Sequence, residues 1–233
     1  MKKIIGIIGG MGPQASSEFY RLLIARAHEA YGARDNCDYP EILLDSVPVP
    51  DFLSDTQKTE EAAQMLEDRV ERLTAYGVSM MTMSCNTACI LRDRLQEKTS
   101  VPIISIVEEV VRQVVKNDHR VLLLASPTSL RLGLYQLALA RYGISYVVPK
   151  VRDYHELEHI IRAVINGKDR GILMQKLVRL TDRYVGNDDI RGIILGCTEL
   201  PLVFPINYRL PVYSSLSILA EAVLKRYYIK EDV

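Results

Sequence analysis

Two cysteines stand out, because each follows an apolar run and precedes small polar residues. Cys85 lies in the segment Ser-Cys-Asn-Thr at residues 84–87, and Cys197 lies in Gly-Cys-Thr-Glu at residues 196–199. A thiol at the N-terminus of a helix has a lowered pKa, which makes it usable as an acid or a base near neutral pH. Two such thiols facing one another could remove a proton from one face of a carbon atom and return a proton to its other face.

The side chains next to these cysteines suit the binding of a small charged ligand. Asn86, Thr87 and Thr198 can donate hydrogen bonds to a carboxylate or to sulfur. Glu199 has two interpretations that the sequence leaves open. Its carboxylate could hold a substrate ammonium group or adjust Cys197, or it could cap the first turn of a helix.

A glycine-rich turn follows the first apolar run, with the sequence Gly-Gly-Met-Gly-Pro at residues 9–13. The glycines fit the dinucleotide-binding pattern G-x-G-x-x-[GA]. That pattern also needs an acidic residue about 20 positions later, whereas Asp45 is 35 residues after Gly10. We therefore expect a turn in which backbone N–H groups, those of Met11 and Gly12, bind a carboxylate instead.

Strand-like apolar runs alternate with longer amphipathic runs along the chain, which is typical of βαβ units and a parallel sheet. The predicted strands cover residues 3–8, 41–45, 78–83, 102–106, 120–125, 145–148, 190–195 and 211–213. The predicted helices between and after them include residues 15–30, 59–76, 153–166 and 215–228.

The chain also repeats itself. Residues 4–20 and 121–136 share the order strand, turn and helix, and the two cysteine segments resemble each other. Ser126, in the turn of the second copy, is a further candidate for substrate binding. The fold class that we predict is α/β, with two similar lobes, each a mostly parallel sheet flanked by helices. Residues 1–107 and 211–233 should form the first lobe and residues 108–210 the second, with the active site in the cleft between them.

The composition excludes several classes of partner. The 233 residues include 29 Lys and Arg against 29 Asp and Glu, so no net charge attracts nucleic acid or an anionic membrane. No apolar run approaches the roughly 20 residues of a membrane span. Glycines interrupt the apolar N-terminal run too early for a secretory signal. We therefore expect a cytoplasmic protein with no nucleic-acid or membrane partner.

The distribution of Cys and His predicts neither a metal site nor a disulfide framework. None of the four histidines, at positions 28, 119, 155 and 159, lies near a cysteine in the sequence. Cys37 is expected in a loop. Cys89 follows Cys85 by four residues, and its role stays open.

Three ordered motifs, at residues 9–13, 84–88 and 196–201, together resemble the cofactor-independent aspartate/glutamate racemase family. Glutamate racemases usually show Asp-Ser-Gly at the first motif and Cys-Thr-His at the third. Gly-Met-Gly and Cys-Thr-Glu stand here, so the chain looks like the aspartate racemase branch. The resemblance implies Cys85 and Cys197 as the catalytic acid and base, no pyridoxal phosphate or other cofactor, an amino acid or related small carboxylate as substrate, and a homodimer. It also implies that Asn86, Thr87 and Thr198 surround the amino-acid head group.

Departures from the family pattern leave the substrate side chain open. Phe52 stands where aspartate-selective relatives often carry Arg, and Cys89 stands where a histidine is frequent. Arg162 or Lys168 could supply the missing cation. Two alternatives remain: a decarboxylase, hydantoin racemase or isomerase of the same fold, or a nucleotide- or metabolite-binding protein without chemistry.

Overall fold

A computed structural model of the chain describes residues 3–50, 58–117, 120–186 and 189–229. Strands in these ranges are β1 (Ile4–Gly9), β2 (Glu41–Ser46), β3 (Met80–Met83), β4 (Ile103–Ile104), β5 (Arg120–Ala125), β6 (Ser145–Val147), β7 (Gly192–Gly196) and β8 (Val212–Ser214). Helices are α1 (Pro13–Tyr31), α2 (Thr59–Tyr76), α3 (Arg92–Gln96), α4 (Ile106–Val115), α5 (Pro127–Leu132), α6 (Leu134–Arg141), α7 (Tyr154–Ile165), α8 (Arg170–Val185) and α9 (Ser215–Tyr228). No helix among the described residues is long and apolar enough to cross a membrane.

The strands form two four-stranded sheets with the same topology. Their orders are β2-β1-β3-β4 and β6-β5-β7-β8, and every neighbouring pair is parallel. The prediction of two similar α/β lobes, each with a parallel sheet flanked by helices, is confirmed. The central strands β3 and β7 are buried along their whole length. Burial of both faces explains why these strands are continuous apolar runs rather than alternating patterns.

The chain divides into two compact units, Met1–Ile106 with Leu216–Val233, and Val107–Ser215. The sequence placed residues 211–214 with the first lobe, but β8 pairs with β7, with Tyr213 opposite Ile194. A strand of three residues carries no local signal of its partner, because the pairing is made by backbone groups of a distant segment. The prediction of an active site in a cleft between the lobes stays a prediction.

The predicted strands are present with small shifts at their ends. β3 begins at Met80, two residues after the start of the predicted run. β4 covers only Ile103–Ile104, because α4 begins at Ile106. α1 begins at Pro13. Proline is favoured at the first position of a helix, because an N–H group there would have no partner within the helix.

Candidate active site

Cys85 lies in a buried polar turn at the carboxyl end of β3. It is 6% exposed, and Asn86 and Thr87 beside it are each 2% exposed. The chain continues into a 3-10 turn over Thr87–Leu91 and then the five-residue helix α3. A helical stretch therefore follows this cysteine, and its first part is a 3-10 turn rather than an α-helix.

Ser16 of α1 ties the glycine turn to the turn that carries Cys85. Its hydroxyl accepts a hydrogen bond from the Gly10 N–H at 2.9 Å and donates to the Gly12 carbonyl at 3.1 Å. The hydroxyls of Ser16 and Ser84 are 2.9 Å apart, and the Ser84 N–H donates to the Ile8 carbonyl at 3.1 Å. Sequence reasoning missed Ser16, although its position four residues after Gly12 is the signal that could have identified it.

The glycine turn requires residues without a side chain. Gly10 has a φ of 87°, and a Cβ atom there would lie 2.5 Å from the backbone N and O of Val47. Gly12 has a φ of 126° and precedes Pro13, the first residue of α1. Met11, between these glycines, is partly exposed. The turn therefore has the tight geometry that the sequence predicted, and binding of a carboxylate by its N–H groups stays a prediction.

In the second unit, the turn after β5 corresponds to the glycine turn. The Ser126 hydroxyl caps α5 by accepting a hydrogen bond from the Ser129 N–H at 3.2 Å, and Pro127 occupies the first helical position. Thr128 is buried, and its hydroxyl oxygen has no hydrogen-bond partner among the described residues. Sequence reasoning did not select Thr128, although it is the second hydroxyl residue after the strand.

Cys197 directly follows β7 and is 4% exposed. The strand ends in Gly196 because the neighbouring space is full, since a Cβ atom there would lie 2.8 Å from the Tyr135 ring. The Cys197 thiol donates a hydrogen bond to Glu199 Oε2 at 3.1 Å, and the Thr198 hydroxyl donates to the same oxygen at 3.0 Å. As with Cys85, the following element is short, the 3-10 turn Leu200–Leu202.

Glu199 is a buried carboxyl group, 3% exposed. Burial raises the pKa of this carboxyl, and hydrogen bonds from Cys197 and Thr198 only partly oppose the effect. Its Oε1 atom is buried and has no hydrogen-bond partner among the described residues. The side chain does not cap the turn that follows, so the capping interpretation is wrong. The contact with Cys197 is present, and binding of a substrate ammonium group stays a prediction.

The two cysteines occupy equivalent positions in the two sheets. In the first sheet Ile8, the fifth residue of β1, pairs with Met83, two residues before Cys85. In the second sheet Leu124, the fifth residue of β5, pairs with Leu195, two residues before Cys197. Both thiols therefore follow the same strand of the repeated topology at the same register.

Other candidate residues lie elsewhere. Cys37 is exposed, in a 3-10 turn, and Cys89 is partly exposed. Arg162 donates a hydrogen bond to Glu158 at 2.9 Å, and with Lys168 it lines an open cavity of about 520 Å³ between α7 and α8. Phe52 and His119 lie outside the described residues. Within the described ranges, no three His, Cys, Asp or Glu side chains are grouped to hold a metal ion.

Comparison with known proteins identifies the family of this chain. The family model of Asp/Glu/hydantoin racemases matches residues 8–223, which include both cysteine turns and the glycine turn. The chain belongs to this racemase family. It is similar to the broad specificity amino-acid racemase RacX of Bacillus subtilis, with 27% identity over 96% of this chain and 98% of that protein.

Solved structures of racemases share the fold. An aspartate racemase homologue from Pyrococcus horikoshii is 28% identical with a TM-score of 0.81, over 98% of this chain and all of that one. An aspartate racemase from Picrophilus torridus is 24% identical with a TM-score of 0.83, over 97% and 94% of the two chains. The glutamate racemase of Campylobacter jejuni matches with a TM-score of 0.64. The predictions of this family and of an enzyme of the racemase type are confirmed.

Proposed function

We propose that this racemase interconverts the enantiomers of a free amino acid by moving protons between the α-carbon and the thiols of Cys85 and Cys197. The observation that carries the proposal is the equivalence of the two cysteines, each buried in a polar turn after the same strand of its sheet. A mechanism that inverts a carbon atom with two bases needs a matched acid and base, whereas a decarboxylase needs only one acid.

In the proposed reaction, one cysteine is a thiolate and the other a thiol. The thiolate removes the α-proton, and the electron pair of the C–H bond delocalises into the substrate carboxylate. The thiol then donates its proton to the opposite face of the carbon, which leaves the two cysteines with exchanged protonation states. The mechanism requires both sulfur atoms to reach one α-carbon from opposite sides.

The head group of the substrate would be held by donors already fixed in the two units. In the first unit these are the backbone N–H groups of Met11 and Gly12, with the side chains of Asn86 and Thr87. In the second unit they are Ser126 and Thr198. Donors that are held in place before reaction stabilise the charge that develops on the carboxylate without reorganisation. No metal or organic cofactor is needed for these steps.

The substrate range is proposed to be broad. The similarity to a broad specificity racemase supports this, as does Phe52, which cannot pair with an acidic side chain. A homodimeric state is part of the proposal and rests on the resemblance to the family. Light scattering of the purified protein tests it.

The activity is tested by incubating the chelator-dialysed protein with single L-amino acids in D2O and following the α-proton by NMR. We expect loss of the α-proton signal together with formation of the D-enantiomer. Exchange that disappears on dialysis and returns with added zinc would contradict the proposal. Loss of carbon dioxide without inversion would favour the decarboxylase.

A further inference from the structure

The Cys197–Glu199 pair is a difference in sequence between the two cysteine turns. Two residues after Cys197 stands a carboxyl group, whereas two residues after Cys85 stands Thr87, which cannot ionise in this pH range. The Cys197 thiol and Glu199 Oε2 are 3.1 Å apart, and both side chains are buried. The repeated topology is thus symmetric in its backbone and asymmetric in its acid–base groups.

One proton lies between the Cys197 sulfur and the Glu199 carboxyl group, and it can be bonded to either of them. The thiol can donate to the carboxylate, or the proton can pass to Glu199, leaving a thiolate that accepts the hydrogen bond from the carboxylic acid. The net charge of the pair is −1 in both arrangements. A second ionisation would place two negative charges in one buried site, which is strongly disfavoured.

In the part of the chain that the structure describes, Cys197 is one of two side chains that donate a hydrogen bond to the Glu199 carboxyl group. The Thr198 hydroxyl is its other side-chain donor, and Oε1 is buried with no partner among the described residues. Helix α7 packs against the Leu200–Leu202 turn. The titratable or charged side chains of α7 are Tyr154, His155, Glu156, Glu158, His159 and Arg162.

None of these α7 groups contributes to the pKa shift of Glu199, which arises from burial and from its contacts with Cys197, Thr198 and its own backbone. Glu156 pairs with Arg183 and Glu158 pairs with Arg162. Both α7 histidines are exposed. The other titratable or charged side chains next to β7 include Tyr213 on β8, Arg120 at the start of β5, and Tyr135, whose ring lies against Gly196.

We propose that Glu199 is a positioning residue that shares one proton with Cys197, so that Cys197 changes its protonation state only together with this carboxyl group. The consequence is directional, because the residue equivalent to Glu199 in the Cys85 turn is Thr87, which does not ionise in this pH range. The half-reaction that uses Cys197 as the base should follow the ionisation of the pair, and the opposite half-reaction should follow Cys85. This proposal deepens the proposed two-thiol function. The directional consequence rests on that function, whereas the sharing of the proton does not depend on it.

The proton sharing is tested without any activity measurement, in a protein whose only cysteine is Cys197 (Cys37, Cys85 and Cys89 replaced by Ser). Thiolate ultraviolet absorbance is followed against pH, with the cysteine-free protein as the blank. Glu199→Gln removes the neighbouring negative charge and can donate to sulfur, so the thiolate should appear in a single step at a pH lower by about one unit or more. A profile that superimposes on the parent's would overturn the proposal.

The matched control is the same substitution in a protein whose only cysteine is Cys85. Its thiolate profile should not move, and an equal shift at both cysteines would overturn the proposal by showing a general effect on the fold. If Glu199→Gln does not fold, as judged by circular dichroism, Glu199→Asp replaces it. Aspartate retains the charge, but its side chain is one methylene shorter, so the carboxylate lies farther from the sulfur. A thiolate profile identical to the parent's would again overturn the proposal.

The directional consequence is tested in the otherwise unsubstituted protein. Rates of α-proton exchange from the L- and the D-enantiomer are measured against pH, with and without Glu199→Gln. The substitution should alter the pH profile of one direction and leave the shape of the other unchanged. Exchange that is absent altogether would count against the proposed function, while the thiolate titration would still decide the sharing of the proton.

Discussion

At the scale of single residues, the two thiols have similar surroundings. Cys85 and Cys197 are buried, and a 3-10 turn begins within three residues after each of them. A 3-10 turn of a few residues stabilises a thiolate less than the N-terminus of a long α-helix would. Nearby hydroxyl, amide and carboxyl groups must set the protonation states instead. Glu199 is one such group, because its carboxyl oxygen accepts a hydrogen bond from the Cys197 thiol.

Replacement of either cysteine in these turns should abolish racemisation. For Cys85→Ser and Cys197→Ser we expect a loss of about 10²-fold or more, because a hydroxyl is too weak an acid or base to replace a thiol. Chiral chromatography of the product measures the rate. Cys37→Ser is the control, since Cys37 is exposed, and it should retain the parent rate. Racemisation by Cys197→Ser at the parent rate would exclude the two-thiol mechanism.

Glu199 should make the protein less stable as pH rises. Burial raises the pKa of its carboxyl in the folded state above the unfolded value of about 4.3. Its contribution to stability is therefore fully present below the unfolded pKa and is lost as pH rises through the folded pKa. Glu199→Gln lacks this titration. The melting temperature of the variant minus that of the parent should therefore increase as pH rises from acid to alkaline. A difference that is the same at every pH would contradict the assignment.

At the scale of elements, one serine couples α1 to the ends of β1 and β3. The Ser16 hydroxyl contacts the N–H of Gly10, the carbonyl of Gly12 and the hydroxyl of Ser84. These contacts join the predicted carboxylate-binding turn to the turn that carries Cys85. The position of the thiol relative to the glycine turn thus depends on a residue that itself need not touch the substrate.

Ser16→Ala should destabilise the protein by about 1–3 kcal/mol, because it removes the hydroxyl that accepts from the Gly10 N–H and contacts the Ser84 hydroxyl. It should also lower kcat/KM through the displaced glycine turn. Chemical denaturation and steady-state kinetics measure the two effects. Ser17→Ala is the matched control, since Ser17 is exposed on the same helix and its replacement should change neither quantity. Equal effects at both positions would show that Ser16 acts only through helix propensity.

At the scale of the whole molecule, the chain leaves its first compact unit at Ile106 and returns to it at Leu216. The returning helix α9 buries several apolar side chains completely. They are Leu216, Leu219, Ala220, Val223 and Leu224. The first unit is therefore completed only when the C-terminal helix has been made.

Leu219→Ala should destabilise the first unit by about 2–5 kcal/mol, as expected for removing a fully buried leucine side chain. Hydrogen exchange resolves the effect along the chain, and the faster exchange should be concentrated in β1, β3 and α1. Lys225→Ala, at an exposed position of the same helix, is the control. Faster exchange confined to residues 107–215 would contradict the assignment of α9.

The sequence by itself determined the α/β class, the repeated strand–turn–helix order and the two cysteine turns. These features are local, because apolar periodicity, glycine turns and the residues that follow a strand are all encoded within short windows. It also indicated the family, through three short motifs that all lie within residues 8–223, the range that the family model matches.

Only the tertiary structure decided the partner of β8, the role of Ser16 and the contact of Glu199 with Cys197 rather than with a helix end. Each of these depends on groups brought together from different elements, or on the direction that a side chain takes in a turn too short to carry a pattern. Pairing of a short strand and hydrogen bonding of a buried hydroxyl or carboxyl are set by whatever surrounds them after folding. Residue order alone therefore does not specify them, because the physical cause is the packing of distant segments.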